Sequence, residues 1–407
     1  MDARLWVNRN FRLLFSSALA TNLGDGLIAV AVPWLATLLT DDPMLVGLVA
    51  AARHLPWALF ALPAGVLTDR HDHRRLILGA DAARLVLSVA LLVLALTSSP
   101  GTAPVLGLAA LAFLLGSAEV LRDNTAQTFL PDVVEKPQLE RANGALWATE
   151  RLAGQLAGPP LAGFLIGLSV ALPFGVQTLL LLAALGLIGV MRLPGRAEKP
   201  QPKPALAAIR EGLAWLWGDV VLRRLALVSG AFNFVGYGFF AVFVLYAQRV
   251  LELDVVGYGI FLTLVACGGL AGSILGPAVL ARTGPTVGLL LGIVMFSLSS
   301  AALALQAPLW LIGLAMLADG FCGMLWDITV VSYRQRHIPP PLLGRVNSAY
   351  RFIGTGPAAL GAFAFGALVA WAERPDDRIS GLLLAYAVAA AVTAILTVYA
   401  ALRLRLD

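Results

Sequence analysis

Residues 65–76 read Gly65-Val-Leu-Thr-Asp69-Arg70-His71-Asp72-His73-Arg74-Arg75-Leu76. Seven of these twelve residues are ionisable, yet the stretch lies between two apolar runs, each long enough to cross a bilayer. About 20 mostly apolar residues span the ~30 Å of bilayer hydrocarbon as a helix. The stretch therefore reads as the aqueous turn of a hairpin of membrane helices, and that reading decides the fold class.

The rest of the chain agrees with the turn. Of 407 residues, 59% are hydrophobic and only 13% charged, with a mean hydropathy of +0.83. A water-soluble chain could not hide that much apolar surface. Twelve apolar runs can be marked, at roughly 11–39, 43–68, 76–97, 103–129, 142–167, 170–191, 220–249, 255–281, 286–305, 308–333, 344–371 and 379–402. The first is too long for a signal peptide and lacks a small-residue cleavage site, so it is expected to stay as a span. The fold expected is an all-α membrane protein of twelve transmembrane helices.

Orientation follows from the basic residues. One set of alternate turns carries Arg9, Arg12, Arg70, Arg74, Arg75, Lys136, Arg141, Arg192, Arg196, Lys199, Lys203, Arg282, Arg334 and Arg336. The other carries Arg249, Arg374 and Arg378, mixed with Glu252, Asp254, Glu373, Asp376 and Asp377. Both termini are thus expected in the cytoplasm of a bacterial cell, in a multi-pass protein of the cell membrane. The net charge of +5 is this asymmetry, and no nucleic-acid partner is implied.

The longest polar break, Arg192 to Pro204, holds four prolines and reads as an extended tether. Residues 205–218, with Trp215, Trp217, Arg210 and Glu211, suit an interfacial helix. The domains expected are 1–191, a six-helix bundle; 192–218, a cytoplasmic linker; and 219–407, a second six-helix bundle. The halves echo each other. Leu139-Glu-Arg-Ala-Asn143-Gly returns as Leu343-Gly-Arg-Val-Asn347-Ser, and Asp123-Asn-Thr125 as Asp327-Ile-Thr329. Asn22-Leu-Gly-Asp-Gly26 faces Asn233-Phe-Val-Gly-Tyr-Gly238, and Gly65 corresponds to Gly276. Two pseudo-symmetric bundles from a duplicated unit are the expectation.

The opening stretch, at this position in a duplicated twelve-span plan, resembles the loop between spans two and three of the major facilitator superfamily. His73 stands where members of that family often have glycine, and the second-half copy, Gly276 to Arg282, lacks the aspartate. The resemblance implies a conformational latch between the halves, formed by Gly65, Asp69, Arg70 and Asp123 together with the basic pair led by Arg74. A glycine at the end of span two would admit a close neighbour. The alternative is that Arg70, Arg74 and Arg75 only hold the turn inside the cell. His71 and His73 are expected to be solvated.

Ionisable groups inside spans are costly, about 2.5–3.5 kcal/mol each on insertion scales. Span one holds Asp25, beside Asn22, Gly24 and Gly26; span four holds Glu119, Arg122 and Asp123 on one face; span ten holds Asp319. The family's spans one, four, seven and ten line a central cavity, which implies that these acids meet water and substrate. A carboxyl in apolar surroundings can load and release a proton near neutral pH. Asp25 and Glu119 are the expected sites of proton or cation coupling, and Asp319 a third. The alternative is helix pairing, for example of Glu119 with Arg53 or Arg122. Asp81 and Arg84, three apart in span three, read as a satisfied structural pair.

Span five carries Gly154-Gln-Leu-Ala-Gly158-Pro159-Pro160-Leu-Ala-Gly163. It resembles the glycine-proline signature of the superfamily's exporters, with Ala162 replacing one glycine. Trp34, Trp57, Trp147, Phe232, Phe234, Tyr237, Phe239, Phe240 and Tyr246 are expected to give a broad apolar cavity wall, with Asn22, Asn233 and Gln127 as polar handles. Such a wall suits an amphipathic or lipophilic cargo better than a sugar. No nucleophile-base pair, metal-ligand spacing or phosphate loop stands out, so no enzyme activity, metal or cofactor is expected beyond a proton gradient. The combined motifs resemble the branch that exports macrolides, drugs and siderophores by exchange for protons. An importer or lipid transporter of the same fold, or a transport-dead scaffold, remains as the alternative. The expected partners are the small molecule, protons and lipids around a monomer.

Overall fold

The computed structural model describes the backbone of residues 3–191 and 205–406, and their side chains except at 3, 4, 61, 62, 66, 69, 136, 205–209, 340, 341 and 344. The tether 192–204 and the Asp69 side chain, both singled out above, lie outside the described residues.

The described chain is helical almost throughout. In order come α1 (Ala3–Val7), α2 (Arg9–Leu39), α3 (Pro43–Arg70), α4 (His73–Thr97) and α5 (Thr102–Val133). A 3-10 turn at Lys136–Gln138 leads to α6 (Leu139–Thr149), a π-helical stretch (Glu150–Ala157), α7 (Gly158–Leu168) and α8 (Leu172–Gly189). Then follow α9 (Ala205–Gly218), α10 (Val220–Arg249), α11 (Val255–Thr283), α12 (Pro285–Ala304), α13 (Leu309–His337), α14 (Pro340–Thr355), α15 (Ala358–Ala372) and α16 (Ser380–Arg403).

Eleven helical runs among the described residues are long and apolar enough to cross a bilayer, with α14 and α15 sharing one run. The remaining expected span, the fifth, is present as α6, the π-helical stretch and α7 laid end to end. Pro159 and Pro160 lack N–H groups, so the carbonyls of Gln155 and Leu156 lose their ordinary donors and the ladder loosens there. The Gly158 N–H instead reaches back five residues, to the Ala153 carbonyl. Helix starts follow cap chemistry: Asn8 accepts from Asn10 and Phe11 N–H, and Asp219 from Val221 and Leu222 N–H.

The described residues fall into two compact units. The first lies within 1–40, 52–202 and 255–260. In it α2 packs on α8 and α7, and α4 on α5 and α8, around Phe11, Leu14, Ile77, Phe129, Leu130 and Ile188. The second lies within 41–51, 203–254 and 261–407. There α12 packs on α13 and α16, and α10 on α15 and α14, over Leu222, Leu289, Ile293, Trp326 and Tyr350. Helix α9 lies along α14, where Glu211 accepts from Arg345. At the other end of this unit Arg249 donates to Glu373 at 2.5 Å and to the Asp41 carbonyl at 2.8 Å.

Candidate functional site

The charged turn at 65–76 is built into the first unit by four separate contacts. Asp72 caps α4 by accepting from Arg75 N–H at 2.8 Å. His73 is not solvated as expected: it is buried, its Nδ1 is 2.8 Å from Asp132 Oδ2 at the end of α5, and its ring meets Phe129 edge-on. Arg74 donates to the last carbonyls of α8, Ile188 at 3.1 Å and Gly189. Ile188 also accepts from Met191 N–H at 3.2 Å; a cation at this C-terminal end adds hydrogen bonds to carbonyls that lack i+4 donors and suits the helix dipole. Upstream, Thr68 meets Thr125 of α5 at 3.2 Å. Arg70 is exposed at the end of α3. A methyl placed at Gly65 would meet no described atom within 4 Å.

Deeper in the same unit, α2, α4 and α5 assemble a ladder of charges. Gly24 and Gly26 let α2 sit close to its neighbours: a methyl at Gly24 would stand 3.1 Å from the Gln177 side chain, and one at Gly26 would run into the Gly154 carbonyl. That placement brings Asp25 onto Arg84 of α4, whose Nη2 donates to Asp25 Oδ1. Arg84 Nη1 is also 3.7 Å from Asp81 Oδ1. Arg122 of α5 brings Nε to 3.5 Å from that same oxygen, and Nη1 to 3.5 Å from Asp123 Oδ1. The order is Asp25, Arg84, Asp81, Arg122, Asp123. Asp81 and Arg84 are 0% exposed, whereas the Asp25 side chain keeps 20% exposure and Asp123 33%.

Two expectations change here. Asp81 and Arg84 are not a closed pair, because Arg84 gives its hydrogen bond to Asp25. Arg122 serves Asp81 and Asp123 and is not the partner of Glu119. Glu119 forms no ion pair or hydrogen bond with a described residue, while Arg53, Arg84, Asp25 and Asp123 stand within electrostatic reach. Arg53 Nη1 is buried and has no hydrogen-bond partner among the described residues. Sequence reasoning expects Asp81 and Arg84 as a closed pair and Arg122 on the face of Glu119, so it misses the ladder. The available signal is that three spans carry ionisable groups inside their apolar runs: Asp25 in one, Asp81 and Arg84 in another, Arg122 and Asp123 in a third.

The polar handles are also partly occupied. Asn22 donates to Thr149 Oγ1 at 2.8 Å and Asn233 to the Gly354 carbonyl at 2.8 Å, each pinning the first helix of its unit to the fifth-span or eleventh-span segment. Part of the expected aromatic wall is core packing. Phe239 and Tyr246 are buried against Tyr386, and Phe232 lies between Phe296 and Trp326. Trp147 is exposed, and Tyr237 is half-buried on α10. Asp319 is buried on α13 with no ion pair among the described residues. In the glycine-proline segment, Gly158 faces Gly26 and Gly163 faces Val255, each too close for a side chain. Pro159 turns its carbonyl to Gly259.

Comparison with known proteins places this architecture. The family model for the Major Facilitator Superfamily matches residues 14–362. The chain belongs to the Major Facilitator Superfamily. Among its curated relatives is the multidrug efflux pump Tap of Mycobacterium tuberculosis (strain ATCC 25618 / H37Rv), 30% identical over 315 residues, covering 74% of this chain and 72% of that protein. Another is the enterobactin exporter EntS of Shigella boydii serotype 4 (strain Sb227), 25% identical over 371 residues, covering 88% and 85%. Among solved structures, the nucleoside transporter NupG gives a TM-score of 0.75 at 13% identity, covering 97% of this chain and 99% of that one. A D-xylose-proton symporter gives 0.75 at 14%, covering 98% of each. At such identities the structures speak to the fold alone. As a Major Facilitator Superfamily member the chain is a multi-pass transporter of the cell membrane, not an enzyme.

Proposed function

We propose that this transporter exports an amphipathic or lipophilic small molecule, a drug-like compound or a siderophore, in exchange for protons. The observation that carries the reading is Asp25. It is a partly exposed carboxylate at mid-depth of α2, held by a fully buried arginine, in a chain whose relatives include a multidrug efflux pump and a siderophore exporter. A proton arriving at Asp25 removes the charge that Arg84 holds, so the pair changes state on protonation and can exchange a proton for cargo. Glu119, without an ion pair, is a second proton site beside it, and Asp319 a third in the other unit.

In this reading the sequence halves 1–191 and 219–407, joined by 192–218, alternate access to a site near the midplane. Asp69, Arg70 and Asp123 latch one state, and the glycine-proline segment at Gly154–Gly163 sets the packing typical of exporters. The termini face the cytoplasm, and the protein works as a monomer. Inverted membrane vesicles test the proposal. Uptake of a lipophilic cationic dye driven by an inside-acid gradient, and lost in Asp25→Asn, supports it. Uptake that follows the opposite gradient would make the protein an importer.

A further inference from the structure

Asp81 stands apart from every other buried acid in the first unit. It is wholly buried in α4, and neither carboxylate oxygen has a hydrogen-bond partner among the described residues. Its Oδ1 is nonetheless shared by two guanidiniums, Arg84 at 3.7 Å and Arg122 at 3.5 Å. Both distances lie just outside ordinary hydrogen-bond length. A buried carboxylate held this way is under-coordinated, and either arginine gains by closing on it. Each arginine has a competing acid at its far end, Asp25 for Arg84 and Asp123 for Arg122.

We infer that Asp81 is a positioning residue that carries the protonation state of Asp25 on α2 to Asp123 on α5; the inference rests on the proton-coupled reading above. When Asp25 takes a proton its charge is lost, and Arg84 turns to Asp81. Asp81 then holds Arg122 less tightly, because its Oδ1 is engaged from the α4 side. Arg122 moves toward Asp123, on the helix that pairs through Thr125 with the end of α3 at Thr68. Loss of the proton reverses each step. No bond is made or broken other than that of the transferred proton.

Other charges face this ladder. Asp25 and Arg53 of α3 each lie within electrostatic reach of Glu119 of α5, and Glu150 of the π-helical stretch lies within reach of Asp123. α8 presents the uncharged Gln177 to Gly24. Five carboxylates (25, 81, 119, 123, 150) thus face three arginines (53, 84, 122). Among these acids Asp81 alone is in contact with two of the arginines.

The test uses the full-length protein in proteoliposomes, with lipophilic dye and proton fluxes recorded together. The expected result is that Asp81→Asn retains gradient-free dye exchange within about threefold of wild type. Its proton-driven transport falls at least tenfold and loses its pH dependence, and Asp81→Glu restores part of both. An Asp81→Asn protein that keeps the wild-type pH profile and proton flux overturns the relay. Should Asp81→Asn fail to fold, Arg122→Lys, which keeps the charge but cannot span Asp81 and Asp123 together, supplies the answer. A lost pH dependence with gradient-free dye exchange retained supports the relay, and a wild-type pH profile overturns it. A wild-type protein that moves dye without any proton flux instead refutes the proton-coupled reading itself.

Discussion

At the scale of single residues, the charged turn that marked this chain as a membrane protein performs a different task from each of its charges. Asp72 caps α4, His73 ties α4 to α5 through Asp132, and Arg74 closes the end of α8. Replacing Asp72 by Ala removes one cap, worth about 1 kcal/mol. A modestly lowered unfolding midpoint in detergent, with the orientation of the chain unchanged, is the expected outcome. Arg84 is far more consequential, because Asp25 and Asp81 both depend on it. Arg84→Gln leaves the buried Asp81 and the partly exposed Asp25 short of their cation, at a cost of about 3–5 kcal/mol. Adding Asp25→Asn should recover part of that loss, which thermal unfolding of the two variants measures. If the second substitution recovers nothing, Asp25 and Arg84 are not partners. These roles were only half visible in the sequence. The intramembrane charges announced themselves by their rarity, but which acid meets which arginine depends on the rotation of each helix about its axis. A span that is apolar all round gives no stripe from which to read that rotation.

At the scale of elements, α2 approaches the glycine-proline segment closely, as α11 does α13 and α10 does α15. A side chain at Gly26 would enter the backbone at Gly154 and Gly158. Gly26→Val is therefore expected to overpack the pair and cost about 1–3 kcal/mol, seen as a lower unfolding midpoint. Gly65→Ala should leave the midpoint unchanged, since no described atom lies within 4 Å of the added methyl. The clasp between Arg249 and Glu373 adds a pH effect at the end of α15. Burial outweighs the opposing pull of Arg249 and holds the Glu373 carboxyl above its ordinary value. The folded chain then binds more of that proton than the unfolded chain does. The contribution of Glu373 to stability therefore declines as pH rises past about 4.5. Glu373→Gln should flatten that slope in unfolding curves taken at several pH values. An unchanged slope would assign the pH dependence to another group. The sequence showed the prolines and glycines of the fifth span plainly. It did not show the π-helical stretch, which depends on where the carbonyls freed by Pro159 and Pro160 find donors.

At the scale of the whole molecule, the duplication read from sequence echoes has a structural counterpart inside each unit. Asn22 reaches from α2 to Thr149, and Asn233 reaches from α10 to the Gly354 carbonyl, so equivalent asparagines fasten equivalent helices. The chemistry is not duplicated to match. The first unit concentrates the charge ladder on α2, α4 and α5, whereas the second buries Asp319 without an ion pair among the described residues. Span count and internal repeat were legible because both are carried by composition and order along the chain. Phe239 and Tyr246 were misassigned to the aromatic wall because they occupy positions that periodicity alone cannot assign to core or cavity. In the proposed mechanism the charge ladder makes the first unit the main site of proton handling and Asp319 a lesser one, and one measurement addresses that most directly. Proton and lipophilic-dye fluxes are recorded simultaneously in proteoliposomes for wild type, Asp25→Asn and Asp319→Asn. The account predicts opposed proton and dye movement in wild type, abolished by Asp25→Asn and largely retained by Asp319→Asn. Undiminished proton exchange in Asp25→Asn would contradict it.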